Sequence, residues 1–466
     1  MLPFQRRRSV ASLGSWVVAL ALAGGCGHQS TELEGETRHA LLISIDTLRA
    51  DHLGTYGYER DTSVNLDRWA SRATVFENAF SVAPWTLTAH LSMLTGLFPI
   101  QHGVVAGDLA LGANHIPLAE SLQAEGVSTA GIYYPGWIHS RHGFARGFEI
   151  FEAHGGLPEA EELFSQVLME SDDSGRSFTF VHLFDVHSAP LDLPGPIYQA
   201  PPEYLGHFGP DAESILSGYG RRELWEREGG WEDHEVQAVE DLYDAAIRWV
   251  DEGVGRMIGQ FEERWAEEEF LIVVTSDHGE SLGQRSGQMA GHGGVFQEGL
   301  HVPLIVSATS HRAGRRRVKR PVSLVDIAPT VAGWLGVELS HEATGENLLT
   351  AAETAGGNAA VRVLEAYQHP HSVRVKWPRK VGRSNAGTAL FLLDVDPDEG
   401  LPVLGGPADR AFDLMDQDLL EQLGNPTPSP AKIESRELEE MQALTGLGYA
   451  VPGFDSDSDQ GGSQER

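Results

Sequence analysis

The chain of 466 residues has a single cysteine, Cys26, and only four lysines, Lys319, Lys376, Lys380 and Lys432. One thiol excludes a disulfide within the chain. Basic residues are scarce overall, 34 Lys and Arg against 67 Asp and Glu, for a formal charge of −33. So acidic a surface argues against nucleic acid as a partner, because phosphate backbones are held by basic patches. The apolar run near the start, "WVVALALAGG", is also short. At about ten residues it falls well below the roughly 20 needed to cross a bilayer.

What is present at that end has the order of a secretory leader: "RRR" at 6–8, the apolar run, then small residues before Cys26. The stretch "LAGGC" resembles a bacterial lipoprotein cleavage box, which makes residues 1–25 a signal peptide and Cys26 a lipidated N-terminus. The polar, aperiodic "GHQSTELEGETRH" that follows reads as a tether, residues 26–38. The expected location is therefore the bacterial cell envelope, with the membrane as a partner through the lipid anchor.

A chain 41% hydrophobic and 22% charged has the composition of a folded protein. From residue 39 short apolar runs alternate with helical periodicity, the pattern of an α/β sheet covered by helices. "HALLISIDT", "GVSTAGIYY", "SFTFVHLFD", "EFLIVVTSDHGE" and "HVPLIVSAT" read as strands. In "LYDAAIRWVDEGVGRMIGQF", Ile247, Val250, Val254, Ile258 and Phe261 share one helical face. Beyond residue 346, "AVRVLEAY", "HSVRVKWP" and "ALFLLDVD" read as short strands of a small antiparallel α+β subdomain, with "AAETAGGNAA" and "PVLGGPADR" as loops and "SRELEEMQALTGLGY" as a closing helix. The expected fold is a large mixed, mostly parallel sheet between helices over 39–345. A smaller subdomain over 346–450 and a disordered acidic tail over 451–466 complete it.

Three of these strands end in polar clusters, "IDT", "FDVH" and "SDHGE". Open α/β sheets bind ligands beyond the carboxyl ends of their strands. Carboxylates there are costly to bury unless a cation offsets them. Asp46, Asp277 and His278, with one further oxygen, suit one divalent ion, the imidazole favouring Zn²⁺ or Mn²⁺ and leaving Ca²⁺ possible. Asp185 is open to two readings, a second-metal ligand or a carboxylate that orients His187. Arg49 and Asp51 read as a structural pair, Asp326 as a helix cap, and the acidic "PEAEELF" and "RWAEEEF" as solvated helix faces.

The runs "ISIDTLRADHLGTYGYERDTSVNLDRWA", "APWTLTAHLSMLTGLFPIQHGV", "LFDVHSAP", "VVTSDHGESLG" and "GHGG" with "LHVPLIV" resemble, in order and spacing, the sulfatase family of the alkaline phosphatase superfamily. The likeness extends over about 39–450. It implies an alkaline phosphatase-like fold, a metal held by Asp46, Asp277 and His278, and an anionic ester as substrate. In the family the helix start reads "CxPSR", and its cysteine becomes a formylglycine that attacks sulfate. Here Thr86 takes the cysteine position, Thr88 the proline, Ala89 the serine and His90 the arginine. A secondary alcohol cannot give an aldehyde, so the formylglycine route is closed. Thr47 replaces the second aspartate of the usual pair, and no lysine lies near the expected sulfate contacts.

Relatives in the superfamily that keep threonine at this position use its hydroxyl directly. The resemblance thus points to Thr86 as a nucleophile and fourth metal ligand, with His90, His187 and His292 as anion contacts or leaving-group acids. A hydroxyl near a divalent ion and a helix N-terminus is in a fitting place for that chemistry. The bland alternative for Thr86 is a plain N-cap. The expected activity is hydrolysis of a phosphate (di)ester, phosphonate or sulfate ester. A phosphoryl transferase with an envelope acceptor shares every motif, and an inactive protein that binds an anionic glycan is the rival from another class.

Overall fold

Strict alternation along Arg38–Ile45 (β1) sends Leu41, Ile43 and Ile45 to one side of a sheet and Ala40 and Leu42 to the other. All are buried, as a central strand covered on both faces requires. The computed structural model describes residues 37–433 except 172–174, 189–196, 199, 220–230, 285–290, 292–293, 310–315, 342, 354–363, 369–370, 386 and 425. Cys26, His292, the tail and the helix expected in "SRELEEMQALTGLGY" thus lie outside the described residues.

The other strands of the sheet are Thr74–Phe76 (β2), Ser128–Tyr133 (β3), Ile150–Ala153 (β4), Ser177–Leu183 (β5), Glu269–Thr275 (β6), Leu304–Ala308 (β7) and Arg316–Val318 (β8). Their order is β8-β2-β7-β6-β1-β5-β3-β4. β1 runs parallel to both β5 and β6, and β3 parallel to β4 and β5, while β7 is antiparallel to β6 and β2. The sheet is therefore mixed and mostly parallel, as the sequence implied.

Each face carries its own helices. Val64–Ala70 (α1), Leu157–Glu170 (α3) and the long Asp233–Arg264 (α4) pack with Leu41, Ile43 and Val181. Thr86–Thr95 (α2) and Ile327–Trp334 (α5) pack with Ala40, Leu42, Phe178 and Phe180. Helix α2 is buried along its whole length. Its sequence "TLTAHLSMLT" is accordingly nearly without an exposed polar face.

The second sheet is antiparallel, with five strands: Leu364–Gln368 (β9), His371–Lys376 (β10), Arg379–Ser384 (β11), Gly387–Leu392 (β12) and Val403–Leu404 (β13). Helix Gly406–Leu423 (α6) covers it. "PVLGGPADR" was expected as loop, yet from Gly406 it is helix. A Gly-Pro pair reads as a turn, but proline also fits the first turn of a helix, where its missing N–H is no loss. "RWAEEEF" is likewise not a helix face: α4 ends at Arg264 and β6 begins at Glu269. Asp326 sits at the N-cap of α5 but turns back, accepting from the backbone N–H of Ser323 at 2.9 Å and of Glu346 at 2.7 Å.

Candidate active site

The site forms where β1, β5 and β6 end side by side. Ser44 of β1 is level with His182 on one side and Thr275 on the other. By the period of 2, Ser44, His182 and Thr275 continue the rows that carry Leu42, Phe180 and Val273 on the α2 face. Asp46 and Asp277 lie two residues further along those rows. All three of Asp46, Asp277 and His278 are fully buried.

Helix α2 brings Thr86 to them. Its N-cap is Trp85, whose side chain makes no capping bond, and Thr86 is the first helical residue. Thr86 Oγ1 lies 3.3 Å from Asp46 Oδ2 and 3.4 Å from His278 Nε2. The N-cap alternative is thereby set aside.

The backbone around the carboxylates is held in an uncommon shape. Thr47, at the position of the second family aspartate, has φ of 56°, a left-handed conformation. This turns its N–H toward Asp277 Oδ1 at 3.3 Å, an oxygen that also accepts from His278 N–H at 2.9 Å. The Tyr243 hydroxyl of α4 donates to Thr47 O at 2.7 Å and accepts from Arg49 N–H at 2.9 Å. Arg49 pairs with Asp51 at 2.7 Å, as expected. Gly279 follows His278 where a Cβ would stand 2.0 Å from Glu298 O, so the turn admits no side chain.

Donor and acceptor roles then follow from the carbonyls. His278 Nδ1 faces Gly279 O at 2.9 Å and must carry the hydrogen, which leaves the lone pair of Nε2 aimed inward. That lone pair lies 3.4 Å from Asp277 Oδ2 and 3.7 Å from Asp46 Oδ1. Neither carboxylate oxygen has a hydrogen-bond partner among the described residues. These electron-rich atoms converge, an arrangement that a cation stabilises. Burial pushes the Asp46 carboxyl well above its usual range, helped by the charges of Asp277 and Glu280, and burial pushes Asp277 up too. Burial lowers His278 to about 4, so its imidazole is neutral, as a ligand must be.

His90 lies one turn along α2. Its Nδ1–H donates to Thr86 O at 3.0 Å and lies 3.4 Å from Asp277 Oδ2, while Nε2 accepts from Ser44 Oγ at 3.0 Å. Both ring nitrogens thus face protein groups that frame the site. His187 follows β5, its ring stacked on Phe184 and its Nδ1–H donating to Ser188 O at 2.5 Å. Asp185 Oδ1 accepts from Leu157 N–H at 2.9 Å, at the start of α3, while its Oδ2 is buried with no hydrogen-bond partner among the described residues.

Two site residues escaped the sequence reading. His182 places Nε2 3.1 Å from Asp46 Oδ2. The signal was there, since alternation in "SFTFVHL" puts His182 on the face of Phe178 and Phe180. Glu280, buried and raised to about 7 by desolvation, accepts from Ser188 Oγ at 2.6 Å and Tyr198 OH at 2.9 Å. It thereby ties the His187 loop to the turn that carries His278.

The family profile described as Sulfatase matches residues 38–337. The chain belongs to the sulfatase family. An ulvan-active sulfatase of Formosa agariphila is 23% identical over 417 residues, 78% of this chain and 76% of the relative. A multifunctional alkaline phosphatase superfamily protein of Trinickia caryophylli is 23% identical over 396 residues, 67% of this chain and 76% of that one. The crystal structure of a phosphonate monoester hydrolase of Agrobacterium radiobacter superposes with a TM-score of 0.62 at 19% identity, over 88% of this chain and 96% of that one. This sulfatase-family protein is an ester hydrolase, and its family uses a divalent metal. Among the described residues, Asp46, Asp277 and His278 form one of two clusters that could hold a metal ion, the other being His52, Glu240 and Asp244.

Proposed function

We propose that the protein cleaves a phosphate diester, a phosphonate ester or a related anionic ester through Thr86, with a sulfate ester as the second choice. The observation that carries this reading is the Thr86 hydroxyl, 3.3 Å from Asp46 Oδ2 and 3.4 Å from His278 Nε2 at the first residue of α2. Asp46, Asp277, His278 and Thr86 would hold the metal, with Zn²⁺ or Mn²⁺ favoured by the imidazole. A divalent ion bound there supplies charge that favours the alkoxide over the hydroxyl and offsets charge building on the ester oxygens.

The chain's own groups do the rest. The N–H groups of the first turn of α2 lack partners within the helix and face the anionic group. Thr86 Oγ1 forms the bond to phosphorus, its proton directed at Asp46 Oδ2, while the bond from phosphorus to the leaving oxygen breaks. His187 and His292 are the candidates to donate a proton to that oxygen. Water then releases the group from Thr86. If an alcohol of an envelope molecule takes the place of water, the same site is a transferase. The preference for phosphorus rests on the lysines, all at 319 or beyond in the sequence.

Turnover of nitrophenyl phosphate mono- and diesters, phosphonates and sulfates by the wild type and by Thr86→Ala tests this. Loss of turnover with Thr86→Ala supports the nucleophile, and unchanged turnover removes it. A profile limited to sulfates overturns the preference for phosphorus. We also infer export and lipid anchoring at Cys26, supported by "LAGGC". Loss of detergent-phase partitioning with Cys26→Ser supports it, and unchanged partitioning removes it.

A further inference from the structure

His182 is an imidazole in a place where packing alone calls for an apolar side chain. It is buried on the face that carries Phe178 and Phe180, level with Ser44. Its Nε2 faces Asp46 Oδ2 at 3.1 Å and carries the hydrogen when Asp46 is ionised, as a metal ligand must be, because a carboxylate oxygen only accepts. Nδ1 then presents a lone pair, and it has no hydrogen-bond partner among the described residues. A buried acceptor left in that state is costly. What offsets this cost is found at Asp46. The two oxygens of that carboxylate are treated differently: Oδ2 receives His182 Nε2 and Thr86 Oγ1, while Oδ1 receives no hydrogen bond among the described residues and faces His278 Nε2 at 3.7 Å. His90 has a matching place at the other carboxylate, 3.4 Å from Asp277 Oδ2, its ring edge-on to His182 at 4.9 Å.

We infer that His182 is a positioning residue that fixes Asp46: its Nε2–H holds Oδ2 against Thr86 and leaves Oδ1 for the divalent ion. This rests on the reading that Asp46, Asp277 and His278 hold that ion. Rotation of a carboxylate about its last bond is otherwise soft, since this torsion has broad wells. A donor on one oxygen of the ionised carboxylate removes that freedom. Groups that orient metal ligands in this way are worth about 10–100-fold in affinity.

The test is Mn²⁺ titration by calorimetry of the full chain stripped with a chelator. His182→Phe keeps a ring and loses the donor; His182→Gln keeps an N–H near the place of Nε2. We expect His182→Phe to bind Mn²⁺ about 10–100-fold more weakly, and His182→Gln to stay within about threefold of the wild type. The same contrast is expected in a Thr86→Ala background, since the ion need not react to bind. His182→Met, which also lacks a donor, replaces the Phe variant if that chain does not fold. Unchanged Mn²⁺ affinity in a folded variant without the donor overturns the proposal, as does an equal loss in His182→Gln, which would mark a packing role. No Mn²⁺ binding by the wild type would remove the metal cluster together with this role. Normal binding with turnover retained by Thr86→Ala would remove only the nucleophile.

Discussion

Thr86 and Asp46, forty residues apart in sequence, meet at 3.3 Å beneath the carboxyl end of the central sheet. The hydroxyl is at the first residue of a buried helix, and the carboxylate is the first residue past a buried strand. Neither end frays easily, because each is continued by an element with no exposed face. A nucleophile needs this kind of fixed approach.

From that relationship, Thr86→Ser should retain measurable turnover, since it keeps a hydroxyl on the same carbon and loses only a methyl group. On the proposed reading Thr86→Ala should lower kcat by at least about a thousandfold, because it removes the oxygen proposed to react. Steady-state kinetics on the best nitrophenyl ester decide the point.

Metal removal should be visible in stability before it is seen in activity. Chelation leaves Asp46 and Asp277 buried without a counter-charge, and the melting temperature should fall. Adding Mn²⁺ at a hundred times its Kd should restore about 2.7 kcal/mol. Asp277→Asn should abolish that response yet melt higher than the stripped wild type, because its amide can donate toward the His278 Nε2 lone pair, 3.4 Å away in the native chain. Differential scanning calorimetry with and without metal reads both effects.

Acid should destabilise the fold through His102. Burial holds this imidazole at about 3, with Val104 N–H donating to its Nδ1 at 3.0 Å and its Nε2–H on Ser92 Oγ at 2.9 Å. The folded value lies below the unfolded one, about 6.5, so the unfolded chain takes up the proton first. The contribution is full above about pH 6.5 and is lost at about 1.4 kcal/mol per pH unit as pH falls toward 3. Urea unfolding at pH 7.5, 6 and 5 should show a shallower loss for His102→Asn than for the wild type.

Tyr243→Phe should loosen the turn after β1. Its hydroxyl satisfies Thr47 O and Arg49 N–H at once, and the Phe ring would leave both buried groups unpaired. A loss of about 1–3 kcal/mol is expected. Because Thr47 N–H contacts Asp277, Mn²⁺ affinity should fall as well, and calorimetry checks both.

The resemblance of "TSDHGE" and "ISIDT" to family motifs located Asp46, Asp277 and His278, and the strands that carry them were legible as apolar runs. These features are local: a buried strand and the polar residues that end it are neighbours in sequence. His182 was passed over because a histidine inside an apolar strand looks the same whether it packs or bonds. The start of helix α6 was read as loop because "GGP" signals a turn when nothing downstream is weighed.

The sequence by itself thus determined the alternation, the strand ends and the threonine at position 86, since each depends on residue chemistry or short-range spacing. Tertiary structure alone decided that Thr86 faces Asp46 and His278 instead of capping its helix, and that His182 shares a level with Ser44. Those outcomes depend on strand register and helix docking, which bring together atoms that the chain keeps tens to hundreds of residues apart.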